Sequence, residues 1–128
     1  MKKVISTTQA PAAIGPYSQA IQVGNMLFAS GQLGIDPATG KFVEGGVKEQ
    51  AIQVFRNIHA ILTEADFAMQ DIVKATVFLA DMSDFGAVNE VYIEQLQSAG
   101  DFPARSAIAV KTLPMSGLVE IEVIAVKA

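Results

Sequence analysis

The chain has 128 residues, 51% of them hydrophobic, and its 13 acidic residues against 9 basic ones give a formal charge of −4. That length suits one domain, residues 1–128, large enough to bury a core without disulfides or metals. No cysteine and a single histidine exclude disulfide scaffolds, thiolate nucleophiles and cysteine–zinc clusters. The bases are scattered, with Lys2-Lys3 the only adjacent pair, which argues against nucleic acid as a partner.

In chain order, Met1 to Ser6 lacks the apolar stretch of a signal peptide, and no run approaches the roughly 20 apolar residues of a membrane span. With the absence of cysteine, this predicts a cytoplasmic protein with no membrane partner. Val4-Ile5 allows one short strand. Pro11 to Pro16 reads as an irregular segment, because two prolines flank a glycine. Ser18–Val23 and Met26–Ser30 read as two strands, joined by a two-residue turn at Gly24-Asn25. Ile35 to Gly46, punctuated by Asp36-Pro37, Gly40 and Gly45-Gly46, reads as a loop.

A helix is predicted from about Val47 to Asp66. Ala51, Val54, Phe55, Ile58, Ile61 and Leu62 recur at the three-four spacing of one buried stripe. Ile72–Leu79, rich in β-branched and aromatic residues, reads as a strand. A second helix is expected from about Asp84 to Ala99, with Ser83 or Asp84 as its cap, Phe85, Val88, Tyr92 and Leu96 as its stripe, and Gly100 as its stop. Ala104–Val110 and Leu118–Val126 read as closing strands. The last is so apolar that burial on both faces is expected. Two helices on one face of a mixed sheet make an α+β layer fold. The sheet's other face is then bare in a single chain. That bareness and the high apolar content both predict a homo-oligomer.

The chemistry-bearing residues are few. Neither a phosphate-binding nor a dinucleotide glycine motif is present, and no acidic cluster has metal-ligand spacing, so no cofactor and no metal are expected. His59 sits mid-helix and reads as structural or solvated. Glu120 lies in the apolar strand Leu118-Val119-Glu120-Ile121-Glu122-Val123-Ile124, where an ionised carboxylate is costly unless paired, bonded or wet. Either Glu120 and Glu122 share a solvated face, or one of them lines a cleft as a base or water anchor. Arg105 begins the neighbouring strand in Pro103-Ala104-Arg105-Ser106. It is either half of a surface ion pair or a planar fork for a substrate carboxylate. If the last two strands are neighbours, Arg105 and Glu120 can face one pocket. Arg105 would then favour the ionised form of Glu120. Tyr17, Ser30-Gly31 and Asn89 are weaker candidates for a cleft lining.

Gly15-Pro16-Tyr17-Ser18-Gln19-Ala20, Ser30-Gly31-Gln32, Val88-Asn89-Glu90-Val91-Tyr92 and Pro103-Ala104-Arg105-Ser106, followed by Leu113-Pro114 and Val119-Glu120-Ile121-Glu122, together resemble the RidA/YjgF family. The resemblance covers essentially the whole chain. It implies a chorismate-mutase-like mixed sheet and a homotrimer with a central barrel. It also implies ligand sites in the clefts between subunits. It implies an enamine and imine deaminase that hydrolyses 2-aminoacrylate and related 2-imino acids, released by pyridoxal-phosphate dehydratases, to 2-keto acids and ammonia. Arg105 would bind the substrate carboxylate, helped by the backbone at Ala107, and Glu120 would hold and activate water. Tyr17, Ser30, Gly31 and Asn89 would line the cleft. Many relatives carry cysteine where Ala107 stands, so any thiol-based switch is absent here. The alternative is a non-catalytic regulatory protein that binds small metabolites in the same clefts.

Overall fold

The structure is a computed structural model that describes all of residues 1–128. Eight strands and two helices follow one another in the chain: β1 (Lys2–Ile5), β2 (Ala20–Val23), β3 (Met26–Leu33), β4 (Ile35–Asp36), β5 (Lys41–Phe42), α1 (Val47–Glu64), β6 (Ile72–Leu79), α2 (Phe85–Leu96), β7 (Ala104–Ala109) and β8 (Val119–Val126). Six strands form one sheet in the order β1-β2-β3-β8-β6-β7. Only β6 and β7 run parallel, with α2 as the crossover between them. Both helices lie on one face, as the sequence predicts.

The helices form where the apolar stripe dictates. Along α1, Ala51, Val54, Phe55, Ile58, Ile61 and Leu62 are buried against the sheet. Glu49 Oε1 accepts from the Gly46 N–H at 2.7 Å and so closes the helix start. The helix stops where Asp66 turns left-handed (φ 62°) and the Phe67 N–H returns to the Leu62 carbonyl at 2.8 Å. Beneath the helices, β8 contributes Val119, Ile121, Val123 and Ala125 to the core.

Buried amides tie the loops to this core. Asn57 is fully buried on α1 and donates to the carbonyls of Leu33 (3.1 Å) and Ile35 (2.9 Å), while its oxygen accepts from Gln53 (2.9 Å). Gln19 Nε2 donates to the carbonyls of Thr7 and Pro11, at 3.0 and 2.7 Å, and fastens the N-terminal loop.

Four expectations are corrected. The strand expected to end at Ser30 continues to Leu33 through a bulge, because Ser30 and Gly31 fall between the pairs Ala29–Val123 and Gln32–Ile121. The expected loop over residues 35–46 contains the small ribbon β4–β5. The last two strands are not neighbours, since β6 lies between β7 and β8. Finally, β8 is buried on one face only: Glu120, Ile124 and Val126 are half-buried and Glu122 is exposed on the other.

That second face is apolar as well as uncovered. Phe28 is 41% exposed and Ile108 48% exposed on it. The register places Phe28 beside Ile124 and Ile108 beside Phe78, two apolar patches with the polar row of Glu122, Thr76 and Ser106 between them.

Candidate active site

Each predicted site residue falls into one of two groups, and the sheet separates them. The first group surrounds Arg105. β7 is an edge strand, and its register sets Arg105 opposite the buried Ala75, on the helix face. There the guanidinium lies under α2. Nη1 donates to Asn89 Oδ1 at 2.7 Å. Its central carbon is 4.6 Å from the Tyr92 ring centroid and 5.3 Å from that of Phe85. Ala107, two residues along the same face, packs on the core. Asn89, Tyr92, Ile93, Phe102, Pro103 and Arg105 line a cleft of about 340 Å³.

The second group surrounds Glu120 on the uncovered face. Glu120 lies opposite Leu33 on one side and Phe78 on the other. The Gly31 bulge leaves space for its side chain: a Cβ at Gly31 would meet Glu120 Oε2 at 2.7 Å. Ser30 Oγ donates to the Ser18 carbonyl at 2.6 Å, and the Ser30 N–H to the Gln19 carbonyl at 2.9 Å. These bonds hold the bulge beside the loop that presents Tyr17, a residue 53% exposed. Burial, reinforced by the Glu122 carboxylate, pushes the Glu120 carboxyl above its usual range.

Arg105 and Glu120 therefore do not share a pocket within one chain. They project from opposite faces of the sheet. The expectation that Arg105 steadies the ionised form of Glu120 is replaced by the reverse shift, because what surrounds Glu120 is apolar surface and a like charge. His59 is exposed on α1, beside Arg56 and Thr63 in a larger, polar depression of about 720 Å³. That depression holds none of the predicted site residues. The role of Phe85 and Tyr92 was missed from sequence, where both read only as apolar stripe. The signal was present: with Asn89 between them they are spaced four and three residues apart, which puts all three on one helix face.

The family described as Endoribonuclease L-PSP matches residues 7–127. A mouse protein named 2-iminobutanoate/2-iminopropanoate deaminase is 54% identical over 127 residues, which cover 99% of this chain and 93% of that one. The chain belongs to the RidA/YjgF family. The solved structures agree on the RidA fold. RidA from an Antarctic Psychrobacter is 49% identical with a TM-score of 0.92, covering 98% of this chain and 99% of its own. E. coli TdcF with bound serine is 41% identical with a TM-score of 0.94 at the same coverage.

Proposed function

We propose that this chain is an imine deaminase that hydrolyses 2-aminoacrylate and related 2-imino acids to 2-keto acids and ammonia, and that it does so as a homotrimer with its active sites between subunits. The observation that carries the reading is the division of the predicted site across the sheet. One face of the chain presents an arginine with no acidic partner; the other presents a half-buried carboxylate raised in pKa. A clamp and a base are both needed for hydrolysis of a small acid, and only a second copy can bring them together. The apolar, uncovered sheet face supplies the surface for that assembly. The names of the bovine, caprine and murine relatives, all 2-iminobutanoate/2-iminopropanoate deaminases at 54% identity, support the same substrate class.

The chemistry follows from the groups. An enamine tautomerises to an imine, whose carbon is electrophilic. Arg105 grips the carboxylate through two parallel hydrogen bonds and fixes where that carbon lies. Glu120 of the neighbouring copy takes a proton as water attacks the carbon. It returns that proton to the nitrogen of the resulting carbinolamine, the C–N bond breaks as ammonia leaves, and Glu120 takes the hydroxyl proton as the C=O of the keto acid forms. A carboxyl raised by burial is a stronger base than a solvated one, and a positioned acid–base group typically contributes about 10²–10⁴-fold. Ser30, Gly31 and Tyr17 line the Glu120 side, and Asn89 and the Ala107 backbone the Arg105 side. No helix is long and apolar enough to cross a membrane. The endoribonuclease in the family's description asks for clustered bases along a phosphate track, and the nine bases here are dispersed along the chain.

The test is a coupled assay. The protein is added to a serine or threonine dehydratase reaction, and the imine intermediate is followed by semicarbazide trapping. Faster loss of the intermediate, abolished in Arg105→Ala, is the expected result. No acceleration with several amino-acid substrates would overturn the enzyme in favour of a metabolite-binding regulator.

A further inference from the structure

The reading of Arg105 as a carboxylate clamp raises the question of what holds the clamp, and the inference below rests on that reading. A free arginine side chain is flexible, and immobilising it on substrate binding is costly. An acidic neighbour would fix it but would compete with the substrate. This chain uses neither arrangement. Its one ion pair joins Lys48 and Glu90 and does not include Arg105, so the Arg105 charge stays unspent.

The partners of Arg105 are all neutral: the Asn89 amide oxygen and the faces of Tyr92 and Phe85. Tyr92 is itself rigidly set. It is 3% exposed, meets Phe55 of α1 edge-on at 5.9 Å between centroids, and stacks with Phe102 at 6.4 Å. Its hydroxyl is buried and has no hydrogen-bond partner. What meets Arg105 is the face of the ring, not the hydroxyl. Burial also raises the phenol pKa, so the ring stays neutral and never becomes a competing anion.

We propose that Tyr92, with Phe85 as a second face, is a positioning residue that holds the Arg105 guanidinium flat by cation–π contact and so pre-forms the fork for the substrate carboxylate. The chain of support runs from Phe55 on α1 through Tyr92 to Arg105 on β7, and the charge is never neutralised along it.

The experiment compares Tyr92→Leu, Tyr92→Phe and Arg105→Ala in the full-length protein, after light scattering and thermal melting. KM and kcat are read in the coupled imine assay, binding of 2-oxobutanoate by calorimetry, and the Arg105 Nε–Hε resonance by NMR. Leucine is expected to raise KM and weaken 2-oxobutanoate binding by roughly three- to thirtyfold, the usual worth of a cation–π contact, with kcat changed far less. It should also remove the ring-current shift at Hε. Phenylalanine should restore all three. Unchanged KM and binding in Tyr92→Leu would overturn the proposal. So would equal losses in leucine and phenylalanine, which would move the role to the hydroxyl. If Tyr92→Leu fails to fold, Phe85→Leu replaces it: a rise in KM in the same direction upholds the inference and no rise overturns it. Arg105→Ala separates the two levels. Normal hydrolysis in that variant removes the clamp itself; loss there, with an unaffected Tyr92→Leu, removes only the aromatic support.

Discussion

The side chain that Gly31 lacks is the space that the Glu120 carboxylate fills. A Cβ at that position would lie 2.7 Å from Oε2 and 2.8 Å from the carboxyl carbon, well inside van der Waals contact. The bulge in β3 brings the glycine there, and no larger residue fits without displacing the carboxylate. Gly31→Ala is therefore expected to lower kcat on the order of tenfold to hundredfold, the usual cost of misplacing a catalytic group by about 1 Å. The fold should survive, since the position is only partly buried. An alanine variant with wild-type kcat would show that Glu120 has freedom to move without consequence.

The division of the site between two faces gives a sharper prediction. Arg105→Ala and Glu120→Ala are each expected to be inactive alone. Unfolded together and refolded as mixed trimers, they should regain activity, with about one site in three intact in every mixed trimer, because only one junction joins a sound arginine to a sound glutamate. Activity that stays absent on mixing, with mixed trimers verified by mass spectrometry, would place both groups of each site on one chain.

Glu120 also sets a pH dependence. Burial raises its pKa, and the Glu122 charge raises it further. A base must be deprotonated to act, so kcat/KM should fall on the acid side with an apparent pKa above that of an ordinary carboxylate. Glu122→Gln removes the smaller cause and should move that acid limb part of the way to lower pH. For stability the sign is the opposite of the usual acidic case. The native state holds the Glu120 proton more tightly than the unfolded chain does. Stability from this group is thus complete below the ordinary carboxylate pKa and is lost as pH rises through the raised one. Glu120→Gln should flatten that part of a plot of Tm against pH; an unaltered slope would mean that assembly has already paired the carboxylate.

The uncovered sheet face should be sensitive to charge. Phe28→Asp places a carboxylate in the apolar surface formed with Ile124, where burial of an unpaired charge is strongly unfavourable. Light scattering should then report the 13.5 kDa single chain with its helical circular dichroism retained, and deamination should vanish. A variant that still assembles and turns over would show that this face is not the interface.

Asn57 makes a different kind of prediction, about the scaffold. Truncation to alanine removes the partner of the buried Ile35 carbonyl and Gln53 amide, and of the part-buried Leu33 carbonyl. Urea denaturation of Asn57→Ala should show a loss of about 1–3 kcal/mol for each group left without a partner. A change under 1 kcal/mol would mean that water reaches the site.

Much of this was legible in the sequence because local rules were followed locally. Gly24-Asn25 gave the turn between β2 and β3, the 47–62 stripe gave α1, and Gly100, at φ 104°, did close the turn after α2. What was hidden depended on long-range pairing. Leu118–Val126 looked like a natural neighbour of Ala104–Val110, yet β8 inserts between β3 and β6, and only the register shows it. The ribbon at Ile35–Phe42 was masked by its own turn residues. The candidate residues themselves were legible as types, since arginine and glutamate stand out against apolar strands. Their relation was not, because the face a side chain takes is set by its register in the sheet: Arg105 falls in the row of Ala75 and Val123, and Glu120 in the alternate row of Phe78. Tyr92 was read as core, correctly; that a core ring can also support a surface cation is invisible until β7 is laid beneath α2.

The splitting of Arg105 and Glu120 between the two sides of one sheet has a consequence for regulation by quantity. On the proposed reading, a newly synthesised chain would fold and yet stay inert, because each half of the chemistry would wait on a neighbour. Turnover per chain should then climb steeply with protein concentration near the assembly threshold and fall away on dilution, so that the amount of protein present acts as the on-switch without any lid, modification or effector.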